Sequence, residues 1–290
     1  MRNIKLTLAY DGTEFHGWQI QPGRPTIQGA ITEVLAKITQ ERLALHAAGR
    51  TDAGVHAQGQ VAHFRTQSHL TAQEFQRALN ALLPPAIRVT AAEEVGPDFH
   101  ARWQAQAKTY HYRIFRGRVV PPFVWRFVLH YPYPLDEESM SRAAHLFEGE
   151  HDFTSFAAST GSEDEDRERA PVRHILRAEI LRAVGQAPAL SAVEGFPPVQ
   201  SGVGPGQGAP AAPHGVPDED ELVFAVRGRS FLRYMVRKMV GTLIEVGKGK
   251  LKPEDIPRLF ELRDRSQSGP TVPPHGLSLV AVEYDEPWRV

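Results

Sequence analysis

Two kinds of hydrophobic repeat alternate in the first third of this chain, and their order limits the folds that it can adopt. Apolar residues at every second position predict strands at residues 4–8, 60–64 and 87–95. Apolar residues at helical spacing predict one helix capped by Thr26 and a second around Phe75, which Pro84 and Pro85 end. Strands and helices in this order predict a unit of the α+β class.

A second set of elements with a similar order follows. Further strands are predicted at residues 109–115, 175–182, 222–226 and 277–284. Further helices are predicted at residues 136–147, 231–246 and from Pro253. We therefore expect an α+β fold of two similar halves, each an antiparallel or mixed sheet flanked by helices, with a cleft for the functional site between them. The halves are expected at residues 1–105 and 106–290.

One segment interrupts the second half. Residues 184–217 are rich in Gly, Pro, Ala and Gln and show no hydrophobic periodicity. Such a composition predicts a disordered insertion between two paired strands, and not a domain boundary. Residues 159–169 are expected to form a second polar, acidic loop.

The charges are unevenly distributed, although the net charge is only −1. The acidic stretches at residues 163–169 and 183–221 together carry a net charge of −8, which leaves about +7 on the rest of the chain. A basic body with acidic segments attached is compatible with a polyanionic partner such as a nucleic acid.

The absence of cysteine narrows the possible chemistry. It excludes a disulfide framework, thiol catalysis and a zinc site built on Cys, and it fits a reducing cytoplasm. No apolar stretch has the length or the flanks of a signal peptide or a membrane span, so we expect a cytoplasmic protein without a membrane partner.

The densest group of reactive side chains lies at residues 48–56, between a predicted helix and a predicted strand. Arg50, Thr51, Asp52 and His56 fall within seven positions that contain two glycines. Glycines allow tight backbone geometry and close approach of a ligand, and catalytic groups are often carried by loops on a rigid scaffold. An Asp in such a loop is nevertheless more often a turn residue or a helix cap, so composition alone favours the structural role.

The same residues resemble a known motif. The order Gly-Arg-Thr-Asp-x-Gly-Val-His at residues 49–56 is similar to the central motif of the tRNA pseudouridine synthases of the TruA type. Four other regions resemble this family in order and approximate spacing, namely residues 10–19 with 26–28, 108–112, 230–237 and 273–277. The resemblance covers nearly the whole chain outside residues 159–169 and 184–217, and the insertion at 184–217 departs from the family pattern.

The resemblance implies an activity and a substrate. The chain is expected to be an isomerase that converts uridine to pseudouridine at positions 38, 39 and 40 of the anticodon stem-loop of tRNA. The reaction neither oxidises nor hydrolyses its substrate, so no cofactor and no metal are expected. The resemblance also implies a homodimer, whose partner is the anticodon arm of tRNA.

The resemblance assigns roles to four residues. Asp52 is the expected catalytic carboxylate, and because burial would oppose its ionisation, Arg237 is the expected cationic partner. Tyr110 is expected to pack against the target base and is preferred to Tyr112, which shares its strand face. Arg50 has two roles open at this point, a contact with RNA or a structural hydrogen bond to its own loop. Four further residues are expected to shape the site without reacting, namely Asp11, Gln19, Gln28 and His56. For Lys108 two roles are open, a contact with the RNA backbone or an ordinary surface charge.

Two other functions remain to be compared with this one. A non-catalytic RNA-binding protein of the same fold would be expected to lack Asp52 or Arg237, and the chain has both. A glycoside hydrolase normally needs two facing carboxylates, and the motif supplies only one, because Asp11 has no evident role as the second. The 13 histidines do not form the spacings of a metal-binding motif, so we expect none of them to bind a metal.

Overall fold

A computed structural model describes residues 1–158, 170–182 and 220–285. The predictions for residues 159–169 and for the insertion at 184–217 lie outside the described residues. The described chain divides into two compact units, one made of Met1–Lys108 with residues 278–285, the other of residues 109–158, 170–182 and 220–277. The boundary between residues 105 and 106, as a border between folding domains, stays a prediction.

The described residues form ten strands and five α-helices. The strands are β1 (Arg2–Tyr10), β2 (His46–Ala47), β3 (His56–Thr66), β4 (Ile87–Val95), β5 (Ala105–Phe115), β6 (Leu129–His130), β7 (Gly149–Asp152), β8 (Val172–Arg182), β9 (Glu221–Gly228) and β10 (Leu277–Tyr284). The helices are α1 (Ile27–Thr39), α2 (Ala72–Leu82), α3 (Glu137–His145), α4 (Met235–Gly247) and α5 (Asp255–Leu262). The mixture confirms the predicted α+β class.

The first unit has a sheet with the strand order β4-β1-β3-β10, in which β10 runs parallel to β3 and the other neighbours are antiparallel. The short strand β2 also pairs with β3. Helix α1 begins as predicted, because Thr26 Oγ1 accepts a hydrogen bond from the amide of Gly29 at 3.2 Å. Helix α2 brings Phe75 against Phe64 of β3, with ring centroids 5.3 Å apart. The core of this unit therefore lies between the sheet and these helices.

The second unit has antiparallel pairs β7–β8 and β8–β9, and β9 lies next to β5. Strand β6 adds to β5 in parallel. Helix α3 begins at its N-cap Asp136, whose carboxylate accepts from the amide of Ser139 at 2.9 Å. Helix α4 is apolar on nearly all sides and is the most deeply buried helix of the unit. A helix with this pattern is a core element, so the side chains that it carries are held firmly.

Helix α4 begins four residues later than the sequence predicts. The apolar spacing favours a helix from residue 231, but Tyr234 has φ 61° and ψ 2°, in the left-handed region, and the helix starts after it. The ring of Phe231 packs instead against Tyr110, with centroids 5.0 Å apart. Tertiary packing of Phe231 therefore replaces the first helical turn, and the prediction of a helix from residue 231 was wrong.

One acidic residue that the charge argument assigned to a loose segment belongs to the folded body. Glu221 opens β9, is buried, and forms a two-pronged ion pair with Arg113 of β5 at 2.6 and 2.8 Å. The net positive charge of the body is therefore smaller than the predicted value of about +7. None of the helices in the described residues is long and apolar enough to cross a membrane.

Candidate active site

The loop that carries Asp52 joins β2 to β3 and is fixed by its neighbours. The buried phenol of Tyr10 and the hydroxyl of Thr51 lie 2.8 Å apart. Gln60 of β3 donates from Nε2 to the carbonyl of Gly49 at 2.8 Å. Burial raises the pKa of Tyr10 to about 12, so this phenol stays neutral. The half-buried Asp52 is thus presented on a loop whose backbone is held from within the sheet.

A close backbone approach at Gly17 fixes the other side of this loop. The amide of Trp18 donates to the carbonyl of Thr51 at 3.0 Å, and Gly17 has φ +83°. A Cβ at Gly17 would lie 2.6 Å from the carbonyl oxygen of Thr51 and 3.0 Å from the carbonyl carbon of Asp52. Any side chain at this position would therefore push the backbone of the catalytic candidate.

This contact makes a prediction for Gly17→Ala. We expect kcat to fall by about 100-fold, because a displacement of about 1 Å at a catalytic group has an effect of that size. The free energy of unfolding should fall by about 2 kcal/mol. Gly23→Ala is the matched control, since Gly23 also has positive φ, +69°, but a Cβ there would meet nothing within 4 Å. Urea denaturation and steady-state turnover of both variants check the prediction, and equal loss of kcat in both would contradict it.

Asp11 and His56 form a polar pair at the edge of the loop. Nδ1 of the buried His56 lies 3.2 Å from Oδ1 of Asp11, which also accepts from the amide and hydroxyl of Thr13 at 2.9 and 2.5 Å. Burial raises the pKa of Asp11, but the hydrogen bonds from His56 and Thr13 outweigh it and hold this pKa well below its usual range. Asp11 is therefore an ionised structural carboxylate, consistent with the expectation that it shapes the site.

Lys108 is a buried cation beside the catalytic loop. It is 9% exposed, and its Nζ would lie 3.5 Å from a Cβ placed on Gly49. Burial, together with the charge of Arg102, lowers the pKa of Lys108 to about 8. The sequence left open whether Lys108 is a surface charge, and its burial rules that out. A charge that is kept buried beside a loop with a candidate catalytic residue, although its burial is unfavourable, is typical of a functional site.

The lowered pKa predicts how stability depends on pH. Below pH 8 Lys108 is charged in both the folded and the unfolded chain, and its buried charge destabilises the fold fully. Between pH 8 and 10.5 only the unfolded chain keeps the proton, so the destabilisation becomes smaller as the pH rises. Lys108→Met should therefore raise the free energy of unfolding at pH 7, by up to about 3 kcal/mol, and the gain should shrink towards pH 10. Urea denaturation at pH 7 and 9.5 measures this. Lys37→Met, at a mostly exposed lysine, is the control, and a gain that stays constant with pH would contradict the prediction.

Tyr110 and Tyr112, the two candidates for packing against the target base, both lie in the second unit. The hydroxyl of Tyr112 donates to the carbonyl of Pro273 at 2.8 Å, and the ring is fully buried. Burial raises the pKa of this phenol. Tyr110 is 8% exposed and meets the edge of the Phe231 ring. Tyr112 therefore has a structural role, which supports the preference for Tyr110 as the residue that meets a base.

Arg237 lies on the first turn of α4 and is half-buried, so it is not a fully solvated helix charge. Its Nε donates to the carbonyl of Val272 at 2.7 Å, and its guanidinium lies 4.7 Å from the ring centroid of Tyr234. The more exposed Arg233 contacts the same ring at 4.8 Å. The left-handed Tyr234 therefore serves as a platform for two cations, a role that no sequence pattern indicates. The pairing of Arg237 with Asp52 stays a prediction.

Arg50 is exposed on the catalytic loop. Within the described residues its guanidinium forms no hydrogen bond to the loop that carries it. This argues against the structural alternative and favours a contact with a ligand. Its role stays a prediction.

Comparison with known proteins agrees with this arrangement. A family model described as tRNA pseudouridine synthase matches residues 7–104 and 143–285, which include Asp52 and Arg237. The tRNA pseudouridine synthase A of Solibacter usitatus is 43% identical over 284 residues, covering 98% of this chain and 100% of that protein. The tRNA pseudouridine synthase A 1 of Desulfotalea psychrophila is 42% identical, with coverage of 98% and 100%, and the tRNA pseudouridine synthase A of Moorella thermoacetica is 41% identical, with coverage of 97% and 99%. With matches of this extent, the chain belongs to the tRNA pseudouridine synthase family.

Proposed function

We propose that this protein isomerises uridine to pseudouridine in tRNA, and that its targets are positions 38, 39 and 40 of the anticodon stem-loop. Membership of the family, over nearly the full chain, is the observation that supports the reaction. The resemblance of the five motif regions to the TruA type supports the positions. An enzyme that modifies tRNA would act in the cytoplasm, which is the location that we propose.

The reaction rearranges bonds without a net change in composition. The C1′–N1 bond breaks, the uracil turns over, a C1′–C5 bond forms, and the proton on C5 leaves for solvent while N1 gains one. No electron acceptor and no water is consumed, so the chain's own side chains can supply all the chemistry. The task of the site is to activate the base or the sugar and to hold the detached uracil.

Asp52 is the group that we assign to this activation. A carboxylate can act as a nucleophile on the uracil ring or on C1′, or it can take the proton from C2′ to give a glycal intermediate. Each route requires the ionised form. The polar neighbourhood built by Thr51, Tyr10 and Gln60 keeps the loop in one geometry, which lowers the entropy cost of reaching the reactive alignment.

We assign three further residues to contacts with the substrate RNA or with the carboxylate of Asp52. Arg237 pairs with Asp52 and favours its ionised form. The ring of Tyr110 packs against the target base, which recovers part of the stacking energy lost when the base leaves its helix. Arg50 contacts the RNA backbone or takes the place of the displaced nucleotide.

A hydrolase is the less suitable assignment. Glycoside hydrolysis pairs one carboxylate with a second carboxylic acid whose pKa is raised, so that it can protonate the leaving group. Asp11 had no evident role of this kind in the sequence, and its pKa is held low by His56 and Thr13. An acid that is ionised at neutral pH cannot be the proton donor. A non-catalytic RNA-binding protein would have no need for a carboxylate positioned in this way.

Mapping the product tests the proposed positions. A tRNA transcript with uridine at 38, 39 and 40 is incubated with the enzyme, and pseudouridine is located by carbodiimide modification and primer extension. We expect stops at these three positions, and transcripts with cytidine there should give none. Stops confined to another arm of the tRNA would discard the anticodon assignment while leaving the reaction in place.

The resemblance also leads us to propose a homodimer. One tRNA could then span two subunits, so that the modest positive charge of each would add. Light scattering of the purified protein should give a mass near twice 32.2 kDa. A mass near 32 kDa at the concentrations used for turnover would discard the dimer.

A further inference from the structure

A pocket in the first unit is lined by side chains that have no role in the site described above. It has a volume of about 520 Å³, and its lining includes Arg42, His46, His63, Arg65, His100 and Trp103. His63 lies seven residues along β3 from His56, where the catalytic loop ends, which at the rise of a strand corresponds to about 20 Å. His63 is therefore far along the strand from the point where the loop that carries Asp52 ends.

Aromatic rings form the wall of this pocket. His46 and His63 stack at 5.3 Å, His63 meets His100 edge-on at 4.6 Å, and His100 stacks on Trp103 at 3.8 Å with only 12° between the planes. Burial, with the charges of His100 and His46, lowers the pKa of His63 to about 4. The same burial lowers the pKa of His100. The described residues contain no group of three or more His, Cys, Asp or Glu arranged to hold a metal ion, so we interpret these rings as an aromatic stack.

Trp103 ends this stack and is open to solvent. It is 78% exposed although one face is covered by His100, so the other face is free to accept a flat ligand. The loop beneath it is held in place. The amide of His100 donates to Gln104, whose Nε2 donates to the carbonyl of Asp98 at 2.9 Å, and the amide of Arg102 donates to Nδ1 of His100 at 3.2 Å. An exposed tryptophan on such a tied loop is a preformed stacking surface.

Two guanidinium groups lie at the edge of the same pocket. Arg42 and Arg65 are exposed, and Arg65 donates one hydrogen bond to the carbonyl of Pro97 at 2.7 Å. The only described carboxylate among the lining residues is Glu41, which already accepts from Thr66 Oγ1 and from the amide of Gln67. One net positive charge therefore remains beside the stacked rings. A flat π surface next to guanidinium donors matches the chemistry of a nucleotide, with a base to stack and a phosphate to bind.

We propose that this pocket is a second RNA-binding site, in which an unpaired nucleotide of the substrate tRNA other than the target uridine stacks on Trp103 and places its phosphate at Arg42 and Arg65. The proposal rests on the proposed function for the identity of the RNA. It adds a contact to the tRNA outside the reacting base. Such a contact contributes to binding and leaves the chemical step unchanged.

The test measures binding of an unmodified tRNA transcript by filter retention, without turnover. We expect Trp103→Ala to raise the Kd by about 5- to 100-fold, the range that loss of one base-stacking contact produces. Trp103→Phe should restore most of the affinity, because it keeps an aromatic face. The double variant Arg42→Ala with Arg65→Ala should weaken binding and make it less dependent on salt. Trp125→Ala, at a tryptophan of the second unit that is 51% exposed, is the matched control and should bind as the native protein does.

Three outcomes would overturn the proposal. A Kd for Trp103→Ala within twofold of the native value, with the protein folded by circular dichroism, removes the stacking contact. Conversion of a native dimer to a monomer by the same substitution assigns the face to a second copy of the chain. Binding of adenosine monophosphate that needs Trp103, with tRNA affinity unchanged, makes the pocket a site for free nucleotides. Because none of these measurements depends on turnover, a native enzyme that binds tRNA without isomerising it would defeat the proposed function alone.

Discussion

Asp52→Asn should abolish isomerisation while leaving tRNA binding intact. We expect the single-turnover rate to fall by at least about 10⁴-fold, since an amide is neither a nucleophile nor a base, and loss of a covalent or proton-transfer group has an effect of this order. Asn has the shape of Asp, and the contacts of Thr51 and Gly49 hold the loop backbone. The fold and the Kd for tRNA should therefore change little.

The control for this variant is a second aspartate. Asp98→Asn changes an exposed carboxylate of the same unit and should keep the native rate. Release of tritium from tRNA labelled at uracil C5 measures the rate, because C5 loses its hydrogen when the C1′–C5 bond forms. If Asp52→Asn released tritium as fast as the native enzyme, the reaction would stand and the assignment of Asp52 would have to be withdrawn.

Arg237→Met should produce the second largest loss, about 100- to 1000-fold in kcat. Its guanidinium donates from Nε to the carbonyl of Val272 and lies over the ring of Tyr234, so its position on helix α4 is fixed. Arg237→Lys should recover little of this rate, since one ammonium cannot hold the carbonyl and a carboxylate in the same fork geometry. The loss should appear in kcat rather than in KM, because the partner stabilises the reacting state of Asp52 rather than the bound RNA.

Arg233→Met is the matched control for Arg237. Arg233 lies over the same Tyr234 ring, at 4.8 Å, but is exposed and precedes helix α4. Its loss should raise KM for tRNA modestly and leave kcat within about twofold. Steady-state kinetics of both variants decide the matter. Equal losses of kcat would indicate that the Tyr234 platform, and not the cation at residue 237, is what catalysis requires.

The elements predicted well from sequence are those whose causes are local. Helix α1 has its capping Thr26 and its apolar stripe within a few residues of each other, and strands β4 and β10 have the bounds that their alternation predicts. The two-residue strand β2 has no pattern of its own and exists only because it pairs with β3. The start of helix α4 was wrong for a similar reason, since Phe231 packs against Tyr110 instead of entering the helix.

The same distinction applies to the site. The loop with Asp52 was recognisable because its reactive residues and glycines are contiguous. The contacts that fix this loop were not recognisable from the sequence, because those of Gly17 and Gln60 depend on the tertiary fold. The aromatic pocket was missed altogether. Its three histidines, at 46, 63 and 100, are far apart in sequence and show no motif spacing, and only the pairing of β2 with β3 and the loop after β4 bring their rings together.

The native enzyme alone can show whether this chain isomerises uridine in tRNA. A tRNA transcript labelled with tritium at uracil C5 is incubated with enzyme in excess, and both released tritium and free uracil are counted. We expect the release of up to three tritium atoms from each tRNA that carries uridine at 38, 39 and 40, and no free uracil. Bound tRNA without tritium release would contradict it in favour of a non-catalytic RNA-binding protein, and release of uracil would contradict it in favour of a hydrolase.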